Sequence, residues 1–237
     1  TSPSRTSTQI ICTAPSGAGK NVPVLLIVAG QSSNSYTAFA YKPPVISTIN
    51  GAGSSVIVTA DTAGGTSLTL AGENFSAEPT VRIGTRDCYF VSRSHTQVVC
   101  TTPEGEGSSL PIVLVAGGQS STEPFLFSFN PPIIDSFAPA SANTAGGTAF
   151  TILGANFGTL RTVLVGSQVC PTFSHTHTEV VCTLAAGMGV NLTVTVDVGG
   201  QIDNADDLLP PLANKFSYSA PTILAFAPMS AVTTGGY

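Results

Sequence analysis

Residues 145–157 read AGGTAFTILGANF, and residues 63–75 read AGGTSLTLAGENF. In both stretches large apolar residues alternate with small or polar ones between glycine-containing turns, which is typical of a β-strand with one buried face. The same alternation occurs in residues 192–198 (LTVTVDV) and 125–129 (FLFSF). No useful window shows apolar residues at helical spacing. The sequence therefore predicts an all-β protein.

These stretches belong to a longer internal repeat. The string TQVVCT at residues 96–101 returns as TEVVCT at 178–183 and occurs earlier as TQIICT at 8–13. We predict two complete repeats, residues 43–130 and 131–219. They are flanked by the C-terminal part of a repeat, residues 1–42, and by the first strand of another, residues 220–237. About seven short strands per repeat indicate small antiparallel sandwiches in a tandem, rod-like array.

Composition restricts the function classes. Only 9% of the 237 residues are charged and 42% are hydrophobic, whereas a usual charged share is about 25%. The net charge of −5 and the absence of a basic run argue against a nucleic-acid partner. No apolar run approaches the roughly 20 residues of a membrane helix, so membrane insertion of this segment is not expected.

The repeated motifs resemble those of the IPT/TIG family. The resemblance is carried by residues 132–139, 145–157 and 163–166, by Cys170, and by the VVC of residues 180–182. It implies immunoglobulin-like β-sandwich domains, which occur in plexins and related receptors, transcription factors, secreted enzymes and surface repeat proteins. Because one fold hosts several functions, the resemblance specifies the fold and not the function.

Four of the five cysteines occupy equivalent repeat positions. Cys88 and Cys100, like Cys170 and Cys182, lie 12 residues apart. The recurrence predicts one disulfide per complete repeat, with zinc as the alternative that the missing second Cys or His pair disfavours. Cys12 matches Cys100, and its expected partner would precede Thr1. Disulfides point to an extracellular or cell-surface location.

Few residues suggest catalysis or metal binding. The candidates are three histidines, His95, His175 and His177, and one acidic cluster, Asp203 with Asp206 and Asp207. His95 and His177 share a repeat position that Ser7 fills in the first copy, so a hairpin role is favoured over general-base catalysis. The acidic cluster lacks the spacing of a 12-residue calcium loop, so a solvated loop is favoured. We predict no enzymatic activity, no cofactor and no metal.

Two sequons predict covalent glycans on this chain. They are Asn74-Phe-Ser76 and Asn191-Leu-Thr193. Asn74 lies in the repeated Gly-x-Asn-Phe turn, where a turn-forming role is the alternative. Asn191 is expected to point outward if Leu192 points inward.

One strand predicts a surface for self-association. Its outward positions are aliphatic in the first two copies and polar in the third: Leu25, Val113 and Thr195 at one position, and Ile27, Val115 and Asp197 at the next. A sandwich strand that is apolar on both faces indicates that another molecule or repeat covers its second face. The alternative is a covering loop of the same repeat.

Together these features favour an extracellular structural or adhesive repeat protein that self-associates, head to tail or into fibrils. The main alternative is the ectodomain of a cell-surface receptor that binds a protein ligand. A carbohydrate-binding domain is disfavoured because the chain has no Trp, and aromatic faces form most sugar platforms. The transcription-factor branch of the family is disfavoured by the acidic charge and the paired cysteines.

Overall fold

The structure, a computed structural model, describes residues 4–54, 56–122, 125–159, 161–204 and 215–225. Every regular element in these ranges is a β-strand, which confirms the predicted all-β class. None of the described residues forms a helix of the length and hydropathy needed to cross a bilayer.

Contacts divide the chain into two compact units. The first comprises Thr1–Pro132, Asn156–Arg161 and Val198–Gln201, and the second comprises Ile133–Ala155, Thr162–Asp197 and Ile202–Tyr237. The strands up to residue 130 are β1 (Ser4–Arg5), β2 (Ile10–Ile11), β3 (Val22–Val24), β4 (Ile27–Val28), β5 (Gln31–Ser32), β6 (Tyr36–Phe39), β7 (Val45–Ile49), β8 (Val58–Ala60), β9 (Ser67–Glu73), β10 (Thr80–Ile83), β11 (Arg86–Asp87), β12 (Tyr89–Arg93), β13 (Gln97–Thr101), β14 (Leu110–Ala116), β15 (Gln119–Ser120) and β16 (Phe125–Phe129).

The later strands repeat much of this order. They are β17 (Ile133–Ala138), β18 (Ser141–Ala142), β19 (Ala149–Ala155), β20 (Arg161–Val165), β21 (Gln168–Val169), β22 (Thr172–His175), β23 (Glu179–Thr183), β24 (Val194–Val198), β25 (Gln201–Asn204) and β26 (Ser217–Tyr218).

Two sheets form the sandwich of the first complete repeat. One has the order β11-β10-β14-β16-β8, with β15 paired to β14, and the other has the order β12-β13-β9-β7. All pairs are antiparallel except β16 with β8. The alternating residues Leu68 and Leu70 of β9, and Phe125, Phe127 and Phe129 of β16, enter one buried core. Burial of each such side chain stabilises the fold by about 1.5–3 kcal/mol.

The second complete repeat uses the same architecture. Its sheets have the orders β17-β19-β23-β22 and β21-β20-β24-β25, and β18 pairs in parallel with β26. The buried rings of Phe150 and Phe216 meet edge to face, 5.5 Å between centroids. The alternation of residues 192–198 again puts Val194, Val196 and Val198 in the core.

Both sandwiches carry a β-bulge at an equivalent edge. The register of β12 against β13 shifts between Phe90 and Ser92, and that of β22 against β23 shifts between Thr172 and Ser174. Bulges bend and twist an edge strand, which hinders its pairing with another chain.

The described part of this first segment, residues 4–42, forms three two-stranded sheets, β1-β2, β3-β6 and β4-β5. Several apolar side chains of this segment are exposed, although their equivalents in the next repeat are buried. The exposed residues are Ile10, Val24, Leu26 and Val28, and the buried equivalents are Val98, Ile112, Leu114 and Ala116. The segment therefore presents to solvent the face that forms the core of a complete repeat.

Candidate functional site

The two predicted disulfides are present. Cys88 bonds to Cys100, with 5.8 Å between Cα atoms, and Cys170 bonds to Cys182, with 5.5 Å. Cys88 lies where the chain passes from β11 to β12, hence from one sheet to the other, and Cys100 belongs to β13. Each bridge therefore joins the two sheets of its sandwich at a buried position. Cys12 is exposed and has no disulfide partner among the described residues.

The two sequons lie in different environments. The side-chain nitrogen of Asn74 donates to the carbonyl of Pro43 at 3.2 Å, and Ser76 of the same sequon is buried. Asn191 is exposed, in a turn with φ of 55°. A glycan on Asn74 would have to replace a hydrogen bond that holds a turn, whereas one on Asn191 would extend into solvent.

The three histidines and Asp203 occupy different elements or turns of the chain. His95 precedes β13, and its carbonyl accepts from the Phe75 nitrogen at 3.0 Å, while His175 belongs to β22. Asp203 accepts a 2.6 Å hydrogen bond from the Ile134 nitrogen. Asp206 and Asp207 lie outside the described residues. Within the described ranges, no three His, Cys, Asp or Glu side chains cluster as metal ligands would.

A contact between a turn and a loop is the most regular feature of the first compact unit. We call residues 17–19, 105–107 and 187–189 the Gly-x-Gly loops, and residues 117–119 and 199–201 the Gly-Gly-Gln turns. Gly117 packs so tightly on the first loop that a β-carbon on it would lie 2.5 Å from the Gly19 nitrogen. The Gln119 side chain donates to the Tyr41 carbonyl at 3.0 Å.

The second Gly-x-Gly loop makes the same contact. A β-carbon on Gly199 would lie 2.8 Å from the Gly107 nitrogen, and Gln201 donates to the Phe129 carbonyl at 3.1 Å. Only glycine fits at the first turn position, because a β-carbon there would lie less than 3.0 Å from the opposing backbone. In addition φ is positive, 56° at Gly117 and 58° at Gly199. We call this arrangement the turn-in-loop contact.

Additional hydrogen bonds reinforce the second turn-in-loop contact. Glu106, in the middle of the loop, accepts from the backbone nitrogen of Thr159 at 2.6 Å and from its hydroxyl at 2.9 Å. The Thr62 nitrogen donates to the buried Asn156 side chain at 3.2 Å. Burial lowers the pKa of Arg161, and the negative charge of Glu106 acts in the opposite direction.

An aromatic residue braces each Gly-x-Gly loop from its own repeat. The backbone nitrogens of Tyr41, Phe129 and Tyr218 donate at 2.9 Å to the last glycines of the three loops. Their rings lie against the first glycines, where a β-carbon would come within 2.6 Å of a ring atom. The receiving half of the contact is thus built in all three copies.

The third loop differs in its exposure. Gly19 and Gly107 are buried, whereas Gly189 is exposed and Met188 is 84% exposed. Beside it lies a cavity of about 540 Å³, lined by residues that include Asn143, Val190 and Pro221.

Tyr218 gives this region a measurable pH dependence. Its hydroxyl donates to the Ala185 carbonyl at 2.7 Å, and burial raises its pKa above the ordinary value. The stabilisation is therefore present below the unfolded pKa of about 10 and is lost as the pH rises toward the folded value. Tyr218→Phe should cost about 1 kcal/mol at neutral pH and remove this alkaline loss, as measured by denaturant unfolding at pH 7 to 11. If the free energy of unfolding fell equally with pH in Tyr218→Phe and in the wild type, this prediction would be contradicted.

The predicted self-association positions are divided between two environments. Leu25 and Ile27 are 55% and 65% exposed. Val113 and Val115 are half-buried on the face of β14 that points away from the core.

The turn-in-loop contact was missed in the sequence analysis, although its signal is present. Gly-Gly-Gln follows the same strand in both complete repeats, at 117–119 and 199–201, and Ala-Gly-Gln occupies 29–31.

Comparison with known proteins identifies the family. The model of the IPT/TIG domain matches residues 44–129 and 132–218. The chain belongs to the IPT/TIG family. Human fibrocystin-L is 32% identical over 129 residues, 52% of this chain, and mouse fibrocystin-L is 27% identical over 187 residues, 74% of this chain. The chain spans 3% and 4% of the length of these relatives.

Solved structures include other similar chains. The full extracellular region of plexin A4 aligns with 74% of this IPT/TIG chain and 18% of its own length, with 24% identity and a TM-score of 0.38. The surface glycan-binding protein PbSGBP-B from Prevotella bryantii aligns with 70% of this chain and 42% of its own, with 14% identity and a TM-score of 0.47.

Proposed function

We propose that this chain is a non-catalytic structural or adhesive segment of an extracellular protein, in which the turn-in-loop contact fixes successive IPT/TIG repeats. The observation that carries the proposal is the recurrence of this contact with the same atoms. In both copies a glycine occupies the position at which a β-carbon would clash with the opposing backbone. In both, a glutamine side chain donates to the carbonyl of an aromatic residue. A contact that excludes every side chain at one position is suited to holding the turn and the loop at a fixed distance.

The disulfides support the extracellular part of the proposal. Two bridges form within the described residues, and disulfides persist in oxidising compartments. Each closes a loop within a sandwich, so each repeat is stabilised separately. Such bridges suit a protein that must stay folded outside the cell.

Self-association is the second part of the proposal. Leu25 and Ile27, which are exposed at the outward positions predicted from the repeat, and the charged share of 9% both favour association between copies. We expect the weight-average mass in sedimentation equilibrium to rise with concentration, and Ile27→Asp to suppress the rise. Val169→Asp is the matched control, because Val169 is 55% exposed on β21.

A wild-type chain that stays monomeric at all concentrations would contradict self-association. A Val169→Asp effect as large as that of Ile27→Asp would contradict the location of the surface. Neither result would alter the turn-in-loop contact, which lies within one chain.

Covalent glycans complete the proposal. We expect occupancy at Asn191, which is exposed, and none at Asn74, whose side chain donates to Pro43. Peptide mapping of material secreted from a glycosylating host, before and after enzymatic deglycosylation, measures both sites in one sample. A glycan on Asn74 with Asn191 unmodified would overturn this assignment.

A further inference from the structure

The third Gly-x-Gly loop has the receiving half of a turn-in-loop contact and no turn bound to it within the described residues. Tyr218 braces the loop as Tyr41 and Phe129 brace the first two, with the same 2.9 Å hydrogen bond to the last glycine. Gly189 has φ of 117°, close to the 104° of Gly19 and the 98° of Gly107. The backbone is therefore already in the conformation that the two occupied loops adopt.

The exposure of this loop is what an unfilled contact would produce. Met188 and Val190 are 84% and 67% exposed, although both are apolar. In the occupied loops the residues equivalent to Met188 are Ala18 and Glu106, and both are half-buried. The adjoining cavity of about 540 Å³ leaves room for a turn beside Gly189.

We propose that the loop of residues 187–189, together with the Tyr218 carbonyl, is the docking site for the Gly-Gly-Gln turn of a further IPT/TIG repeat in the same polypeptide. The turn glycine would pack on Gly189, and its glutamine would donate to the Tyr218 carbonyl. Met188 and Val190 would then lose their contact with water.

A second copy of this chain does not supply a suitable turn. Its turns at 117–119 and 199–201 are engaged within their own chain. The remaining one, residues 29–31, begins with Ala29, whose φ is 50°. A β-carbon at the equivalent Gly117 would lie 2.5 Å from the opposing backbone nitrogen, so Ala29 cannot make the same close contact.

The inference rests on the structural part of the proposed function, not on self-association. It is tested with an extended chain in which residues 1–236 are followed by residues 148–219, because Tyr237 occupies the repeat position of Thr148. The appended segment supplies a second Gly199-Gly200-Gln201 turn. It carries Met188→Leu, so that oxidation is read only at the Met188 of the original third loop. The readout is the rate at which dilute hydrogen peroxide oxidises Met188, followed by peptide mass spectrometry, since oxidation of methionine follows its exposure.

We expect Met188 oxidation to slow about fivefold or more in the extended chain relative to the 237-residue chain. Gly199→Ala in the appended segment should restore the fast rate, whereas Gly200→Ala there should not, because a β-carbon at Gly200 meets no atom within 4 Å. Equal rates in the extended and unextended chains would overturn the inference. So would a rate in the unextended chain that falls with concentration, since a second copy would then be the occupant.

Two controls keep the result decisive. Formation of the appended Cys170–Cys182 bridge reports that the added repeat has folded, and a second extension, residues 66–130 after Gly236, supplies Gly117-Gly118-Gln119 instead. All rates are measured at a concentration at which sedimentation shows monomers. The oxidation result is then independent of whether the chain self-associates. Equal oxidation rates would likewise leave the sedimentation result unchanged.

Discussion

Gly117→Ala is expected to open the first turn-in-loop contact, whereas Gly118→Ala is expected to leave it closed. Both glycines have positive φ, 56° and 75°, so both variants bear the cost of placing a β-carbon in that region. Only at Gly117 does the β-carbon also meet another backbone, 2.5 Å from the Gly19 nitrogen and 2.6 Å from the Ala18 carbonyl carbon. Overpacking of this kind costs about 1–3 kcal/mol.

Trypsin cleavage after Lys20 measures this opening locally. Lys20 is exposed and follows Gly19 directly, so cleavage there depends on how often the loop leaves the turn. A cost of about 1–3 kcal/mol corresponds to cleavage about 5- to 150-fold faster in Gly117→Ala. Gly118→Ala should be cleaved at nearly the wild-type rate. Equal acceleration in the two variants would assign the effect to backbone strain and contradict the contact.

Removal of one disulfide should have the second large effect. In the variant with Cys88→Ala and Cys100→Ala, we expect the free energy of unfolding of the first complete repeat to fall by about 3 kcal/mol, because the bridge restricts the unfolded chain. Loss of the buried sulfurs removes packing between the sheets as well. Guanidinium unfolding of the variant, followed repeat by repeat with hydrogen exchange, measures the difference.

Two controls accompany the disulfide variant. Cys12→Ser should leave stability unchanged, because Cys12 is exposed and unbridged among the described residues. The equivalent change at Cys170 and Cys182 should destabilise only the second complete repeat. An unchanged unfolding midpoint in the Cys88 and Cys100 variant, or free thiols at these positions in unreduced protein, would contradict the assigned bridges.

Much of the fold could be predicted because it depends on local patterns. The alternation of Leu68 with Leu70 specifies a strand and its buried face, and the repeated cysteines specify which strands a bridge must join. Asp203 shows where this reasoning fails. The sequence suggested a solvated acidic loop, yet the carboxylate accepts a hydrogen bond from Ile134, 69 residues away. No spacing rule predicts a contact of such separation.

The turn-in-loop contact could be predicted only in part. The glycines of 117–118 and 199–200 predict turns with positive φ, and that prediction concerns one repeat at a time. Their close contact with a Gly-x-Gly loop depends on a backbone elsewhere in the chain. That loop lies about 100 residues earlier for the first turn and about 92 residues earlier for the second. The recurring glutamine was the available signal, since a turn that needs only flexibility does not need Gln119 and Gln201 at the same place.

The most direct test of the turn-in-loop contact is the solvent accessibility of three glycines in a single sample. Solvent paramagnetic relaxation of the Hα protons, with a neutral gadolinium chelate, reports the exposure of Gly19, Gly107 and Gly189. We predict weak enhancement at Gly19 and Gly107, which are buried under their turns, and strong enhancement at Gly189. Similar strong enhancement at all three would mean that the turns do not occupy the loops, and would contradict the account.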